Sequence, residues 1–160
     1  MTTNQVKVAA EALAASILAQ AGYDVAVQWG GTQPHWDMIA VKKLRILKLS
    51  VKGSQDGGWP LFPSYLKNAR YHTALDRWLA HQPKDLVYFF VQFKNVNLGQ
   101  APSCYIALPK EIVAHMRTTR GGNAYTSLRV EHHYSKGLGA GHTDLIPAQW
   151  IVTQERLDQI

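Results

Sequence analysis

The sequence predicts an α/β sandwich in which helices cover one central mixed sheet. Three observations carry this reading: an alanine-rich amphipathic segment at 3–21, three β-rich segments joined by short polar turns between 24 and 52, and the almost wholly apolar run LVYFFVQF at 86–93. Helical stripes and strands that alternate along a chain bury their apolar faces by stacking in layers, and a strand without a polar face is covered on both sides. A chain of 160 residues is one domain, 1–160, long enough to bury a core. That core is expected over about 3–118, followed by an irregular extension over 119–160.

The first helix follows from Val6, Ala10, Leu13, Ala14, Ile17 and Ala21, which recur at spacings of three and four, with Gly22 as the stop. DVAVQ at 24–28, HWDMIAV at 35–41 and LRILKLSVK at 44–52 read as an antiparallel meander, its second turn around Lys42-Lys43. Gly53–Pro63 reads as a loop. A second helix is expected over 64–82, with Ser64 as N-cap and Leu66, Ala69, Thr73, Leu75, Trp78 and Leu79 turned inward. The strand at 86–93 takes SCYIAL (103–108) as its neighbour, Pro109 opens a third helix with Glu111 in its first turn, and a short terminal helix starts after Thr153.

An apolar content of 46% with 18% charged residues excludes a disordered chain. Seventeen basic against eleven acidic side chains give a net charge of +6, which favours polyanionic partners without demanding them. The single Cys104 excludes an internal disulfide framework and reads as a small buried hydrophobe. No signal-peptide pattern and no apolar run of membrane-spanning length occur, so no membrane partner is expected and the location is expected to be cytoplasmic.

The chemistry concentrates on Asp37 and on Ser50-Val51-Lys52. Side chains alternate across a strand, so Lys48, Ser50 and Lys52 share one face, and His35, Asp37, Ile39 and Val41 share a face of the preceding strand. A two- or four-residue turn sets Asp37 opposite Ser50 or Lys48, with Lys52 one step along; a three-residue turn would flip the parity and scatter the group. A carboxylate such as Asp37 suits Mg²⁺ or Mn²⁺, hard ions content with few protein ligands. A lysine beside it can neutralise charge developing on a phosphate. Ser50 stands where a second carboxylate would strengthen the metal site, so binding is expected to be weak. Glu11, beside Ala14 and Leu18 at the edge of the helical stripe, either leans over the sheet toward this group or is a solvated helix glutamate.

The order of elements and these residues together resemble the PD-(D/E)xK, or restriction-endonuclease-like, nuclease superfamily. The likeness spans roughly 3–118, and the stretch LSVKGSQDGGW is similar to the V-K-G-S segment of small members. It implies a restriction-endonuclease-like sandwich and a metal-dependent endonuclease acting on DNA. Asp37 would be the metal-binding acid, Lys52 the catalytic lysine and Glu11 an auxiliary metal ligand, with Ser50 in the place of the second acid. Members with S-x-K can carry that acid on the next helix, where this chain offers Asp76, or Asp56 in the loop before it. Trp36, not proline, precedes Asp37. Members of the superfamily often dimerise, which makes a homodimer possible. The alternative is a degenerate member that binds nucleic acid or a protein partner without cleavage, and a third reading is a module kept for its interaction surface.

Lys42, Lys43, Lys48, Lys67 and Arg70, with Arg45 and Arg77, are candidate phosphate contacts, or ordinary solvated charges. Trp59, Tyr65 and Tyr71 could stack on bases or pack under a loop. His132, His133 and His142 lack a fourth ligand at a zinc spacing and read as exposed loop histidines. His35 shares the expected face of Ser50, but no strained elbow surrounds that serine, which argues against a nucleophilic triad. Trp150 is expected to anchor the terminal helix.

Overall fold

A computed structural model describes residues 1–28 and 35–160 and shows an α/β fold with a five-stranded mixed sheet flanked by helices. Helix α1 (Thr3–Gln20) opens on a reciprocal cap: the Gln5 N–H donates to the Thr2 hydroxyl, and the Thr2 N–H donates to the Gln5 side chain. It ends at Gly22, whose φ of +84° a residue with a Cβ rarely adopts.

Strands β1 (Asp24–Val27), β2 (Met38–Lys42) and β3 (Arg45–Ser54) form the expected antiparallel meander. The β2–β3 turn is two residues, Lys43-Leu44, one position beyond the expected centre, with Lys43 at φ +56°. The register Met38↔Leu49 and Ile39↔Lys48 follows from that turn. After the short β4 (Gly58–Pro60), helix α2 covers Tyr71–Ala80 only. Its expected start at Ser64 is wrong: Pro63–Tyr65 forms a single 3₁₀ turn, and Asn68 at φ +55° breaks any helix across 66–70. Thr73, expected to point inward, is exposed.

Strand β5 (Leu86–Gln92) then joins β3 in parallel, and β6 (Ser103–Ala107) pairs with β5 antiparallel, giving the sheet order β1-β2-β3-β5-β6. Every residue of β5 is buried, as its apolar composition requires. Val87, Phe89 and Val91 join Leu47, Leu49 and Val51 beneath Ala10, Ala14 and Leu18 of α1. On the other face Leu86, Tyr88 and Phe90 pack with Leu75 and Trp78 of α2 and with Ile112 and Met116 of helix α3 (Pro109–Gly122).

The segment from 119, expected to be irregular, is ordered by short elements that carry no sequence periodicity. Strand β7 (Ser127–Arg129) pairs with β4, and β8 (Glu131–His133) pairs with β9 (Thr143–Leu145). Ala124, Leu128 and Trp150 enter the core on the α2–α3 side, where Trp150 meets the His115 ring edge-on at 5.3 Å. Buried Asp144 accepts from the Arg120 N–H at 3.0 Å and the Tyr134 hydroxyl at 2.7 Å, tying β9 to the kinked end of α3. Helix α4 (Gln154–Gln159), capped by Thr153, returns Leu157 to the α1 side. Among the described residues no helix is long and apolar enough to cross a membrane.

Candidate functional site

Asp37, expected on the second strand, sits immediately before β2, whose pairing ends at Met38↔Leu49, yet its carboxylate still reaches Ser50 and Val51 of β3. Its backbone is fixed on both sides: its N–H donates to the Leu49 carbonyl at 2.7 Å, and its carbonyl accepts from the Gln28 N–H at 2.9 Å. Its carboxylate is fixed as well. Oδ2 accepts from the Val51 N–H at 2.7 Å and from the Ser50 hydroxyl at 3.4 Å, the second a weak bond. The other oxygen, Oδ1, accepts no hydrogen bond among the described residues.

Lys52, two residues along β3, is half-buried, and its ammonium makes neither a hydrogen bond nor an ion pair among the described residues. Asp37 and Lys52 both line two neighbouring cavities. One, of about 730 Å³, lies toward the first turns of α1 and is walled by Val6, Lys7, Trp59 and Leu61. The other, of about 380 Å³, lies toward the end of α2 and is walled by Trp36, Tyr65, His81 and Tyr88, with Ser50 in its lining.

Glu11 is not a solvated helix residue. It is 2% exposed, inside the α1 stripe rather than at its edge. Gly53 lets α1 lie this close: a Cβ there would stand 2.8 Å from Val6 Cγ1 and 2.9 Å from the Ala10 Cβ. The Lys7 ammonium is 3.6 Å from Glu11 Oε1, an ion pair too long to be a hydrogen bond, and that oxygen has no hydrogen-bond partner among the described residues. Burial pushes the Glu11 carboxyl above its ordinary range; the Lys7 charge opposes this, the Asp37 charge adds to it, and the Lys52 charge opposes it again. The Asp37 and Lys52 charges are lesser influences on Glu11, whose helix covers the Leu47, Leu49 and Val51 face of β3 and not the Ser50 and Lys52 face.

Among the described residues no group of three or more His, Cys, Asp or Glu side chains is arranged to hold a metal ion. Glu11 lines neither cavity and its Oε1 is shut off from solvent, whereas Asp37, whose Oδ1 is uncommitted among the described residues, lines both. Of the residues considered as a replacement acid, Asp76 pairs with Arg117 on α3. Asp56 lines the larger cavity, but its Oδ1 accepts from the Ser54 hydroxyl at 2.7 Å and the Gly58 N–H at 3.1 Å. The Ser54 bond foremost holds its carboxyl below the usual range.

The candidate phosphate contacts divide. Lys42 donates to the Ala21 carbonyl at 2.7 Å and lies over the Tyr23 ring, so it secures the end of α1. Lys48 shares the Ser50–Lys52 face but pairs with Asp85 at 2.7 Å and covers the Trp36 ring. Lys43 is exposed at the hairpin tip, the opposite end of β2 from Asp37, while Lys67 and Arg70 are exposed in the segment following Tyr65. His142 pairs with Asp144 at 3.2 Å, and His133 Nδ1 lies 2.9 Å from the Thr143 hydroxyl, so both serve the β8–β9 pair. Cys104 is half-buried, and burial pushes its thiol up to about 11. Trp59 is fully packed against Phe90 at 5.0 Å, and Tyr71 lies beside Tyr125.

Sequence reasoning missed the wall formed by Trp36, His81, Gln82 and Tyr88. The one local signal was the adjacency of Trp36 to Asp37; the rest are brought in by the parallel β3–β5 pairing. Compared with protein families, with curated proteins and with solved structures, the chain matched none of them.

Proposed function

We propose that this chain is a divalent-cation-dependent phosphodiesterase that cleaves DNA on a restriction-endonuclease-like scaffold. Asp37 and Glu11 would hold the Mg²⁺ or Mn²⁺ ion, and Lys52 would act at the scissile phosphate. The observation that carries this reading is the Lys52 ammonium, uncommitted among the described residues, beside a rigidly held Asp37 carboxylate, both open to the same two cavities. When bound, the cation would supply Lewis-acid polarisation of a phosphate oxygen.

The chain's own residues supply positioning and charge. The Val51 N–H fixes the Asp37 carboxylate before any substrate arrives, so no reorganisation is needed there. Among the described residues Lys52 has no partner to give up, and it would neutralise charge that develops on the phosphoryl oxygens. Lys7, 45% exposed, is a second cation of the larger cavity and makes a long pairing with Glu11. One observation favours the non-cleaving alternative: Ser50 donates to Asp37 where an acid would add a ligand, so the cation site rests on two carboxylates.

Cleavage of a labelled single- and double-stranded DNA mixture, with Mg²⁺ or Mn²⁺ and with chelator, tests the proposal. Metal-dependent cleavage that Lys52→Ala or Asp37→Ala lowers at least about a hundredfold supports it, the scale of losing one preorganised stabilising group. Ser50→Asp should tighten metal binding about tenfold, or ~1.4 kcal/mol. Wild-type protein that neither binds metal by calorimetry nor cleaves overturns the phosphodiesterase, and salt-sensitive DNA binding would then favour the non-cleaving binder.

A further inference from the structure

The cavity between the start of β2 and the end of α2 sets aromatic side chains beside the Lys52 ammonium. Its floor is aromatic, formed by the buried rings of Trp78 and Tyr88, whose centroids are 5.4 Å apart. Half-buried Tyr65 and exposed His81 form one wall; their centroids are 5.5 Å apart and their planes meet at 57°, so they do not stack on each other. Trp36 stands in the lining with one ring face covered by the Lys48 ammonium at 5.0 Å.

The polar atoms of this cavity form a mixed set. The Trp36 Nε1–H is buried and has no hydrogen-bond partner among the described residues. His81 Nδ1 lies 2.7 Å from the Arg77 carbonyl, which can only accept, so Nδ1 carries the proton and Nε2 of the neutral ring is an acceptor. The Tyr88 hydroxyl donates to Gln82 Oε1 at 2.8 Å and keeps its own lone pairs, while the Gln82 Nε2 is used by the Trp78 carbonyl at 3.0 Å. The buried Trp36 N–H is out of a guest's reach, but His81 Nε2 and the Tyr88 hydroxyl oxygen, with the Lys52 ammonium in the same lining, stand beside aromatic rings and match the edge and the face of a heterocyclic base. The volume of about 380 Å³ lies near the lower end of the ~300–1,000 Å³ typical of small-molecule sites. It suits one base; a base pair would keep both of its edges occupied and outside.

We propose that this cavity is a subsite for one unpaired nucleobase, so that the chain acts on single-stranded or locally opened DNA with the base seated against Tyr65 and His81 and its phosphate beside Lys52. The inference rests on the phosphodiesterase reading for the role of Lys52, but base capture itself needs neither the cation nor cleavage.

The test is fluorescence-anisotropy binding, in chelator, of three labelled DNAs: a thymidine 12-mer, a 12-mer of abasic sites with the same phosphates, and a duplex of that length. The thymidine strand should bind at least about tenfold more tightly than the abasic one, as expected where a base stacks on an aromatic side chain. His81→Ala and Tyr65→Ala should each remove most of that difference while leaving abasic binding unchanged. His81 is exposed, so its variant is not expected to disturb folding, and Tyr65→Phe should retain the preference. Equal affinity for thymidine and abasic strands, a preference for duplex, or no binding of any of the three overturns the subsite. Base-dependent binding without cleavage in Mg²⁺ or Mn²⁺ leaves the subsite standing and removes the phosphodiesterase. Metal-dependent cleavage indifferent to the presence of bases does the reverse.

Discussion

A carboxyl group that is 2% exposed, with one oxygen lacking any hydrogen bond among the described residues and an ammonium 3.6 Å away, is pushed toward its neutral form. For Glu11 the direction is upward, burial being the main cause and the Asp37 charge a further one against the pull of Lys7 and Lys52. A folded-state pKa above the unfolded one makes the charged group a cost to stability, present in full above the folded value and relieved as pH falls through it toward the unfolded value. Glu11→Gln should therefore melt at a higher temperature than wild type at pH 7, and the gap should close as the pH falls through the acid range. A divalent cation reverses the comparison, because it binds the charged form. At a tenfold excess over its dissociation constant it should stabilise wild type by about 1.4 kcal/mol and Glu11→Gln far less. Thermal melts of both proteins at two pH values, with and without Mg²⁺, decide the matter; a variant that melts below wild type at pH 7 without metal would show that the buried charge is compensated.

Glu11 reaches that position because an element packs closely. Helix α1 crosses β3 at Gly53, where a Cβ would come within 3.0 Å of the Val6 side chain, the Ala10 Cβ and the Val6 carbonyl oxygen. Two of those three contacts are with atoms that cannot rotate away, so Gly53→Ala should lift α1 from the sheet and cost about 1–3 kcal/mol, read as a lower urea midpoint with an unchanged slope. It should also expose Glu11 and bring its carboxyl back toward the ordinary range, measurable by NMR titration; a variant with wild-type stability would mean that the helix already stands off. Legibility divides at this scale. The meander and its parity were readable because a period of two and a short turn fix which residues face each other, although Asp37 itself lies just outside the ladder and meets Ser50 only through its side chain. The stripe of α1 was readable too, yet its rotation was not, because Glu11 inside rather than at the rim depends on a glycine of a different element. The start of α2 was misread because the 66–70 segment has helical composition, while the left-handed backbone of Asn68 is a single-residue event. Three-residue strands such as β4 and β7 are too short to show any period.

At the scale of the molecule, a net charge of +6 matters only where the cations remain uncommitted. Lys42 and Lys48 carry charge but spend it within the fold, on the Ala21 carbonyl and on Asp85. The exposed side chains of Lys67 and Arg70 form no ion pair among the described residues, and they follow Tyr65, which lines the aromatic cavity. A strand leaving a base in that cavity would pass along this segment, toward the first turn of α2. The sheet alone makes that path: parallel pairing of β3 with β5 sets Ser50 beside Tyr88 and Lys52 beside Phe90, and so brings α2 to the open end of the β2–β3 hairpin. No local pattern announces a juxtaposition made by residues about 40 apart in the chain, which is why Asp37 and Lys52 were legible and the cavity beside them was not. Each phosphate contact on a single strand contributes about 0.7 to the slope of log affinity against log salt. Lys67→Ala combined with Arg70→Ala should therefore flatten that slope by about 1.4 in anisotropy titrations of a thymidine 12-mer between low and moderate salt. Lys42→Ala should leave the slope unchanged and instead lower the melting temperature, since it releases the end of α1. An unaltered slope in the double variant would place the strand elsewhere on the surface, with the Asp37–Lys52 site then approached from the α1 side through the larger cavity.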